Sequence, residues 1–429
     1  MTPRLIAFEL LKKAEKCKQY SNIALDRALV DSGLSEQDKA LASALFYGVI
    51  EKRITLDYQL SSLSARDIST LDTDVLTALR LGLYQLMFLD RIPNHAAINE
   101  TVSLCSRKTA GFVNACLRSF TRKGAAPLPQ RDKDIIEYLS VAYSVNTALC
   151  QKLVSIYGAD KAENILEGMG AIPPTTVRTN TLKISVEKLG EKLENAVRTP
   201  NSPHGFTVRG SVRELYGFEE GAFFVQDEAS QICVEALGAS EGETMLDICS
   251  CPGSKSFGAA INMKNKGKIL AFDLHEKKLS LIVSSAKRLG IDIISTSAHD
   301  GRDFIPQLEE AADRVLCDVP CSGFGVLGKK PELRYKDPKE SEALPKIQYD
   351  ILCNASRYLK KGGTLVYSTC TIFPEENEKN VEAFLASHPD FSLCPFTVGN
   401  IHADNGMITF LPTKDYPIDG FFVAKLTRR

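Results

Sequence analysis

The sequence predicts an α/β protein built on a doubly wound parallel sheet, preceded by an all-helical bundle and a small α+β insert. Three observations carry this. From about Asp227 onward, short apolar runs alternate with helix-length segments, the order that gives parallel strands joined by helical crossovers. Before residue 124, apolar residues recur at three and four spacing with no strand-like stretch. Between the two lies a mixed segment punctuated by Pro127, Pro129, Pro173 and Pro174.

Residues 1–123 read as helices, most clearly over Ala40–Ile50 and Leu76–Met87, where helix formers carry the apolar period. Gly124-Ala125-Ala126-Pro127-Leu128-Pro129 reads as a linker, because its prolines remove helix donors. Two more helical stretches follow to about Gly170, closed by Ile172-Pro173-Pro174. Thr175–Thr181 and the run from Phe206 look strand-like around a helix near Val186–Glu194. Five later runs are candidate parallel strands: Met245–Cys249, Ile269–Asp273, Asp292–Ser295, Arg314–Asp318 and Thr364–Tyr367. A closing pair falls at Met407–Leu411 and Gly420–Leu426. The expected division is thus 1–125 for the bundle, 126–225 for a helical linker plus the α+β subdomain, and 226–429 for the α/β domain.

The chain has 429 residues, enough for two or three cores, and is 44% hydrophobic and 24% charged, as soluble globular proteins are. No apolar stretch is long enough to span a membrane. The first 18 residues lack the apolar centre of a signal peptide, and Glu9 and Glu15 argue against a transit peptide, so a cytoplasmic location is expected. Twelve scattered cysteines suggest reduced thiols rather than a disulfide framework. Net charge is −1, so any nucleic acid must be held by local patches. Residues 1–125 carry 17 Lys and Arg against 13 Asp and Glu, an excess of +4, while the remainder carries −5. An ordinary solvated helical surface gives the same imbalance.

Cys321 and Cys370 each stand just past an apolar run, in Asp318-Val319-Pro320-Cys321-Ser322-Gly323 and Ser368-Thr369-Cys370-Thr371. Parallel strands aim their carboxyl ends into a shared crevice, so residues beyond two of them can meet at one substrate. One thiol can then attack while the other handles a proton. The plain alternative is that both are small buried hydrophobes, as most intracellular cysteines are. Polar neighbours and the fixed turns at Pro320 and Gly323 favour the chemical role.

The turn after the first candidate strand of the α/β domain is Cys249-Ser250-Cys251-Pro252-Gly253-Ser254-Lys255. A turn entering a helix N-terminus can hold a polar or anionic cofactor group. The turn lacks the glycine that a phosphate-cradling P-loop needs before its lysine, and the three spaced glycines of a dinucleotide fingerprint. A zinc site at Cys249 and Cys251 would need a second ligand pair, which is missing. A nucleoside cofactor held through ribose and backbone contacts remains. Asp273, at the end of the next strand, stands where an acid binds ribose hydroxyls, although a helix cap would also use it.

These motifs resemble the bacterial RNA cytosine-C5 methyltransferases of the Nol/Nop/Sun family, in particular the Sun/Fmu (RsmB) type that acts on small-subunit (16S) ribosomal RNA. The resemblance rests on Gln226–Gln231, Leu246–Lys255, Asp318–Gly323, Ser368–Thr371 with Glu375–Glu378, and Asp419–Leu426. Ile92–Glu100 and Gly111–Arg118 are similar to the RNA-binding NusB fold. The resemblance implies a Rossmann-like S-adenosylmethionine-dependent methyltransferase behind a NusB-like bundle and an RRM-like subdomain. It assigns attack on cytosine C6 to Cys370 and product release to Cys321. Cofactor contacts would come from Cys249, Ser250, Cys251, Pro252, Gly253, Ser254, Lys255, Asp273, Asp300 and Asp318. Asp318, if protonated, would also hydrogen-bond the ring nitrogen that gathers charge. A free thiol is only about 3% ionised at pH 7, so Cys370 needs a positive or amide-rich setting. The implied partner is ribosomal RNA, with no membrane, no metal and a monomeric enzyme.

The sequence departs from the family's Ala-Ala-Pro-Gly-Gly-Lys turn by placing Ser254 where a glycine stands, which matters if that position needs a positive φ or close cofactor approach. The basic stretch Lys329–Lys336 is a candidate for RNA phosphates. A transfer-RNA cytosine-C5 methyltransferase shares the catalytic motifs, and a non-catalytic RNA-binding or assembly factor would use the bundle alone. Cys321, Cys370 and Asp318 argue against the second.

Overall fold

The computed structural model describes residues 2–429 apart from 18–21, 65, 171–173 and 417, and it leaves out the side chains of Cys17, Asn22 and Ile23. Its contacts divide the chain into two compact units: Met1–Glu163 with Lys330–Pro338, and Asn164–Lys329 with Lys339–Arg429.

The first unit is helical, as the period predicts, with helices including Pro3–Cys17, Glu36–Glu51, Arg53–Leu63, Thr73–Phe88, Asn94–Val102 and Ala110–Lys123. Their apolar stripes meet in one core containing Leu11, Leu45, Val49, Leu56, Leu79, Leu83 and Leu117. The N-terminus of Glu36–Glu51 is set by Ser35, whose hydroxyl accepts from the Asp38 amide. The Gly124–Pro129 segment is fastened rather than free: Ala126 exchanges two hydrogen bonds with the Gln59 side chain, and Tyr58 donates to Pro127 O. Among the described residues three helical stretches follow it where two were expected, Ile135–Tyr143, Thr147–Tyr157 and Ala159–Gly170. The first two belong to the helical unit, which therefore runs past residue 125. Ile172 and Pro173 lie outside the described residues.

In the basic stretch behind the Pro-Cys motif Lys329 and Lys330 are exposed, whereas Pro331 and Arg334 are buried. Lys330–Pro338 joins the helical unit, where Tyr335 donates to Ile50 O and accepts from the Arg53 amide, and the 1%-exposed Arg334 donates to Tyr143 O. Lys329, in the second unit, sits between Asp227 and Asp419 at 2.9 and 2.6 Å. The expected phosphate-binding loop is thus largely consumed by internal partners, a pairing invisible without the fold.

The second unit opens with a four-stranded antiparallel sheet, β1 (Thr175–Thr179), β2 (Val197–Arg198), β3 (Gly205–Val208) and β4 (Phe223–Val225), in the order β2-β3-β1-β4. Helix Val186–Lys192 contributes Leu189 to a core with Val177, Phe206 and Phe223. Arg178, fully buried, pairs with Glu235 at 2.6 Å and Asn262 at 2.8 Å. Phe224 enters the main core. Both faces of this small sheet are therefore packed, so the subdomain does not present the open sheet on which RRM domains stack bases.

The main sheet contains β5 (Thr244–Asp247), β6 (Lys268–Asp273), β7 (Ile294–Ala298), β8 (Ala312–Asp318), β9 (Leu359–Thr369) and β10 (Phe391–Leu393). A separate hairpin, β11 (Phe396–Val398) and β12 (Ile401–Ala403), comes next, followed by β13 (Met407–Phe410) and β14 (Phe421–Arg428), which pair with each other antiparallel. The order is β10-β14-β9-β8-β5-β6-β7, with β9, β8, β5, β6 and β7 parallel and β14 antiparallel to β9. Alternating side chains feed two cores. Met245, Leu316, Val366 and Val423 face one layer with Leu237, Ala259 and Ile282, while Leu246, Val315, Leu365 and Phe422 face the other with Ile351 and Phe384. Strand order reverses between β5 and β8, which opens the crevice where such sheets bind ligands.

Candidate active site

The sulfur atoms of Cys321 and Cys370 lie 2.9 Å apart, although the residues are 49 positions apart in sequence. Cys370 directly follows β9, and Cys321 leaves β8 through Val319-Pro320. Neighbouring parallel strands thus bring both thiols to one end of the sheet. Backbone closeness completes the arrangement: Gly325 N donates to Cys370 O at 3.0 Å, and Gly420 N donates to Gly325 O at 2.8 Å. A Cβ on Gly325 would stand 1.9 Å from Gly420 O, so this crossing requires glycine.

Several bonds hold the Cys321 loop. Ser322 Oγ donates to Thr371 Oγ1 at 2.8 Å, Gln348 Nε2 to Pro320 O at 3.0 Å, and the Ser322 amide to Glu376 Oε2 at 2.9 Å. Behind Cys370, Asn377 accepts from Thr369 Oγ1 and donates to Thr371 O. The bond to Cys370, burial and Glu376 together push the Cys321 thiol well above its usual range, although the Cys370 amide at 3.2 Å acts the other way.

Asp318 ends β8 across the switch point from the cofactor turn. Its Oδ2 is 2.6 Å from Lys255 Nζ, and its Oδ1 accepts from Ser368 Oγ at 2.8 Å. Both carboxyl oxygens of Asp318 are thus engaged by donors. Lys255 also stands 5.0 Å from the Phe421 ring centre and within electrostatic reach of Cys370. Asp318 outweighs burial and holds the ammonium above its ordinary range, so it stays charged. The lysine expected to contact the cofactor is therefore bonded to Asp318.

The cofactor turn is tied to the neighbouring strand. Ser250 N and Oγ both donate to Phe272 O, at 2.7 and 2.9 Å, and the Cys251 amide donates to Asp273 Oδ2 at 3.2 Å. Burial, then Asp273, pushes the Cys251 thiol up to about 12, and burial raises that of Cys249, so both stay protonated. Pro252 is exposed, and Gly253 takes φ +103°, where a Cβ would meet the Phe257 ring at 2.6 Å. The left-handed residue is thus Gly253. Ser254 begins helix Ser254–Asn262 without a positive φ and accepts from Gln226 Nε2 through its carbonyl. The departure from the family's glycine meets no backbone obstacle there.

Asp273 ends β6 and accepts from the Cys251 and His275 amides, which leaves acceptor capacity for a diol. Asp300, just past β7, is gripped by Arg302 at 2.6 Å, and that bond holds its carboxyl at about 2. An adenine contact at Asp300 would have to compete with Arg302.

Asp247, within the Leu246–Lys255 run, ends β5 at the switch point with 1% exposure. Its Oδ2 accepts from Ser256 Oγ at 2.6 Å, and Oδ1 makes no hydrogen bond. An acid ending the first strand of a doubly wound domain was the available signal. Burial pushes its carboxyl up to about 7, against about 3.9 in an unfolded chain. Between those values the folded protein holds a proton that the unfolded chain has released, so stability falls as pH rises through the window and stays low above it. Asp247→Asn should raise the melting temperature of the ligand-free protein at pH 8, by a stabilisation on the order of 2 kcal/mol, and much less at pH 4. An equal gain at both pH values would contradict the origin of the effect.

Among the described residues, no group of three or more His, Cys, Asp and Glu could hold a metal ion, and no helix is long and apolar enough to cross a membrane.

Comparison with known proteins gives a consistent result. The pattern of the 16S rRNA methyltransferase RsmB/F family matches residues 234–427, that of the NusB family 1–122, and that of an RsmF/B-like ferredoxin-like domain 147–213. A probable ribosomal RNA small subunit methyltransferase B of Bacillus subtilis is 36% identical, over 99% of this chain and 98% of its own. Its counterpart in Synechocystis is 32% identical over 100% of both chains. The crystal structure of the protein PH0851 superposes with a TM-score of 0.80 at 28% identity, covering 100% of this chain and 99% of that one.

Proposed function

The chain belongs to the RsmB/F family of 16S rRNA methyltransferases, and on that premise we propose that it methylates C5 of a cytosine in small-subunit ribosomal RNA through a covalent Cys370–C6 adduct. The observation that carries this is the meeting of Cys321, Cys370, Asp318 and Lys255 at the carboxyl ends of β8 and β9 and the turn after β5.

Cytosine C5 is a weak nucleophile. Addition of the Cys370 thiolate at C6 moves electron density onto C5, which can then accept a methyl group. Lys255 and Asp318 place an ammonium donor beside a carboxylate acceptor, a pair that matches the N3 acceptor and N4 amino donor of cytosine. Uracil presents the opposite pattern, and a buried mismatch of this kind is rejected strongly. After methylation the C5 proton must leave and the Cys370–C6 bond must break, which calls for a second proton-handling group, assigned to Cys321.

The residues fit S-adenosylmethionine: the left-handed turn at Gly253, the remaining acceptor sites of Asp273 and the unbonded Asp247 Oδ1 suit a ligand with a ribose diol and positive charge. When bound, it supplies the electrophilic methyl group. Asp273 would hold the ribose, and Cys249–Lys255 would line the cofactor's turn. The NusB-like helices would carry the RNA, using Arg107, Lys108, Arg118, Arg122 and Lys123, a run of cations with no acid between. A cytoplasmic, monomeric enzyme is part of the same proposal.

The cofactor assignment has a direct test. Asp273→Ala should weaken S-adenosylmethionine binding more than tenfold in calorimetric titration, since each charge-assisted bond contributes about 1.5–3 kcal/mol. Ser254→Gly should change it little. Unchanged affinity in Asp273→Ala removes that residue from the site, and a large loss in Ser254→Gly would mean the serine makes its own contact.

A further inference from the structure

Two thiols 2.9 Å apart share one proton between them in the reactive state, and something must decide which keeps it. The surroundings are electrically lopsided. Lys255 lies within electrostatic reach of Cys370. On the other side Glu376, only 3% exposed, accepts at Oε2 from the Ser322 amide at 2.9 Å and from Gln348 Nε2 at 2.8 Å. Both partners are N–H donors, the pattern a carboxylate accepts, and Ser322 is the residue next to Cys321. Glu376 is placed firmly: Tyr367 donates to its carbonyl at 2.6 Å, and Asn380 supports Gln348 at 3.2 Å.

We propose that Glu376 is a positioning residue that fixes the division of labour between the cysteines, keeping the shared proton on Cys321 so that Cys370 is the thiolate that attacks. A negative charge one residue from Cys321 disfavours a second negative charge on that sulfur, and the same carboxylate pins the loop that brings Cys321 to Cys370. The protonated Cys321 can then hydrogen-bond the Cys370 thiolate before attack, and at release it gives its proton to the departing Cys370 sulfur while, as the thiolate so formed, it takes up the proton from C5, so that both thiols end protonated.

This rests on the reading of Cys370 as the nucleophile, and it can be tested without RNA or methyl transfer. The full-length protein is treated with iodoacetamide from pH 6 to 10, and initial labelling rates at Cys321 and Cys370 are read separately by peptide mass spectrometry. In the unaltered protein Cys370 should label at lower pH than Cys321. Glu376→Gln preserves the shape and an acceptor oxygen but removes the charge. It should raise the Cys321-to-Cys370 labelling ratio at pH 7.5 about tenfold, the effect of one pKa unit. Glu376→Asp, which restores the charge, should lie near the unaltered protein. An unchanged ratio in Glu376→Gln overturns the proposal, and so does earlier labelling of Cys321 in the unaltered protein, a result that needs no variant to fold. Absence of RNA methylation by the unaltered protein, with the labelling pattern as expected, would instead count against the proposed function alone.

Discussion

Cys370→Ala should abolish methylation and covalent RNA adducts together, whereas Cys321→Ala should accumulate an RNA adduct that survives denaturing electrophoresis. Without the Cys370 sulfur there is no addition at C6, and losing a covalent nucleophile removes at least about three orders of magnitude in rate. Without Cys321 the addition proceeds, because Cys370 keeps Lys255 nearby, but the proton-handling step after methylation loses its partner at 2.9 Å. General acid–base groups contribute roughly 10²- to 10⁴-fold, enough to make release the slow step. Adducts trapped by Cys370→Ala and absent from Cys321→Ala would reverse the two roles.

Lys255→Met should lower kcat/KM for RNA methylation by about 10²-fold or more while changing cofactor affinity little. The family pattern puts this lysine in the cofactor turn, but its ammonium bonds Asp318 at 2.6 Å, so its loss falls on the base and the thiolate. Asp318 would keep only the Ser368 hydroxyl. Activity should recover in part as pH rises, because the thiolate no longer has a cation to favour it. Pre-steady-state methylation and calorimetry on one preparation separate the outcomes. A cofactor affinity that falls as far as the rate would return Lys255 to cofactor binding.

What could be read in the chain, and what could not, divides along physical lines. The parallel strands β5, β6, β8 and β9 were legible because each is an apolar run fed into two cores, as Leu246 and Met245 show, whereas β7 is mostly polar beyond Ile294. The meeting of Cys321 and Cys370 followed from the rule that parallel strands share a carboxyl edge. Partners of single polar groups were not legible, since they depend on register. Lys255 and Asp318 are 63 residues apart, Glu376 and Ser322 54, and neither spacing is periodic. Lys329–Lys336 read as a candidate for RNA phosphates because composition carries no information about the burial of Arg334 or the internal hydrogen bonds of Tyr335. The short strands β10 to β12 escaped because three residues hold too little pattern to distinguish them from loop.

The central claim is that this site makes 5-methylcytosine in small-subunit ribosomal RNA. The most direct test is to map that base, at single-nucleotide resolution, in ribosomal and transfer RNA from cells with and without the gene. Loss of 5-methylcytosine from 16S ribosomal RNA, with transfer RNA unchanged and restoration by the intact gene but not by Cys370→Ala, is the predicted result. Unchanged ribosomal RNA, or a loss confined to transfer RNA, would contradict it.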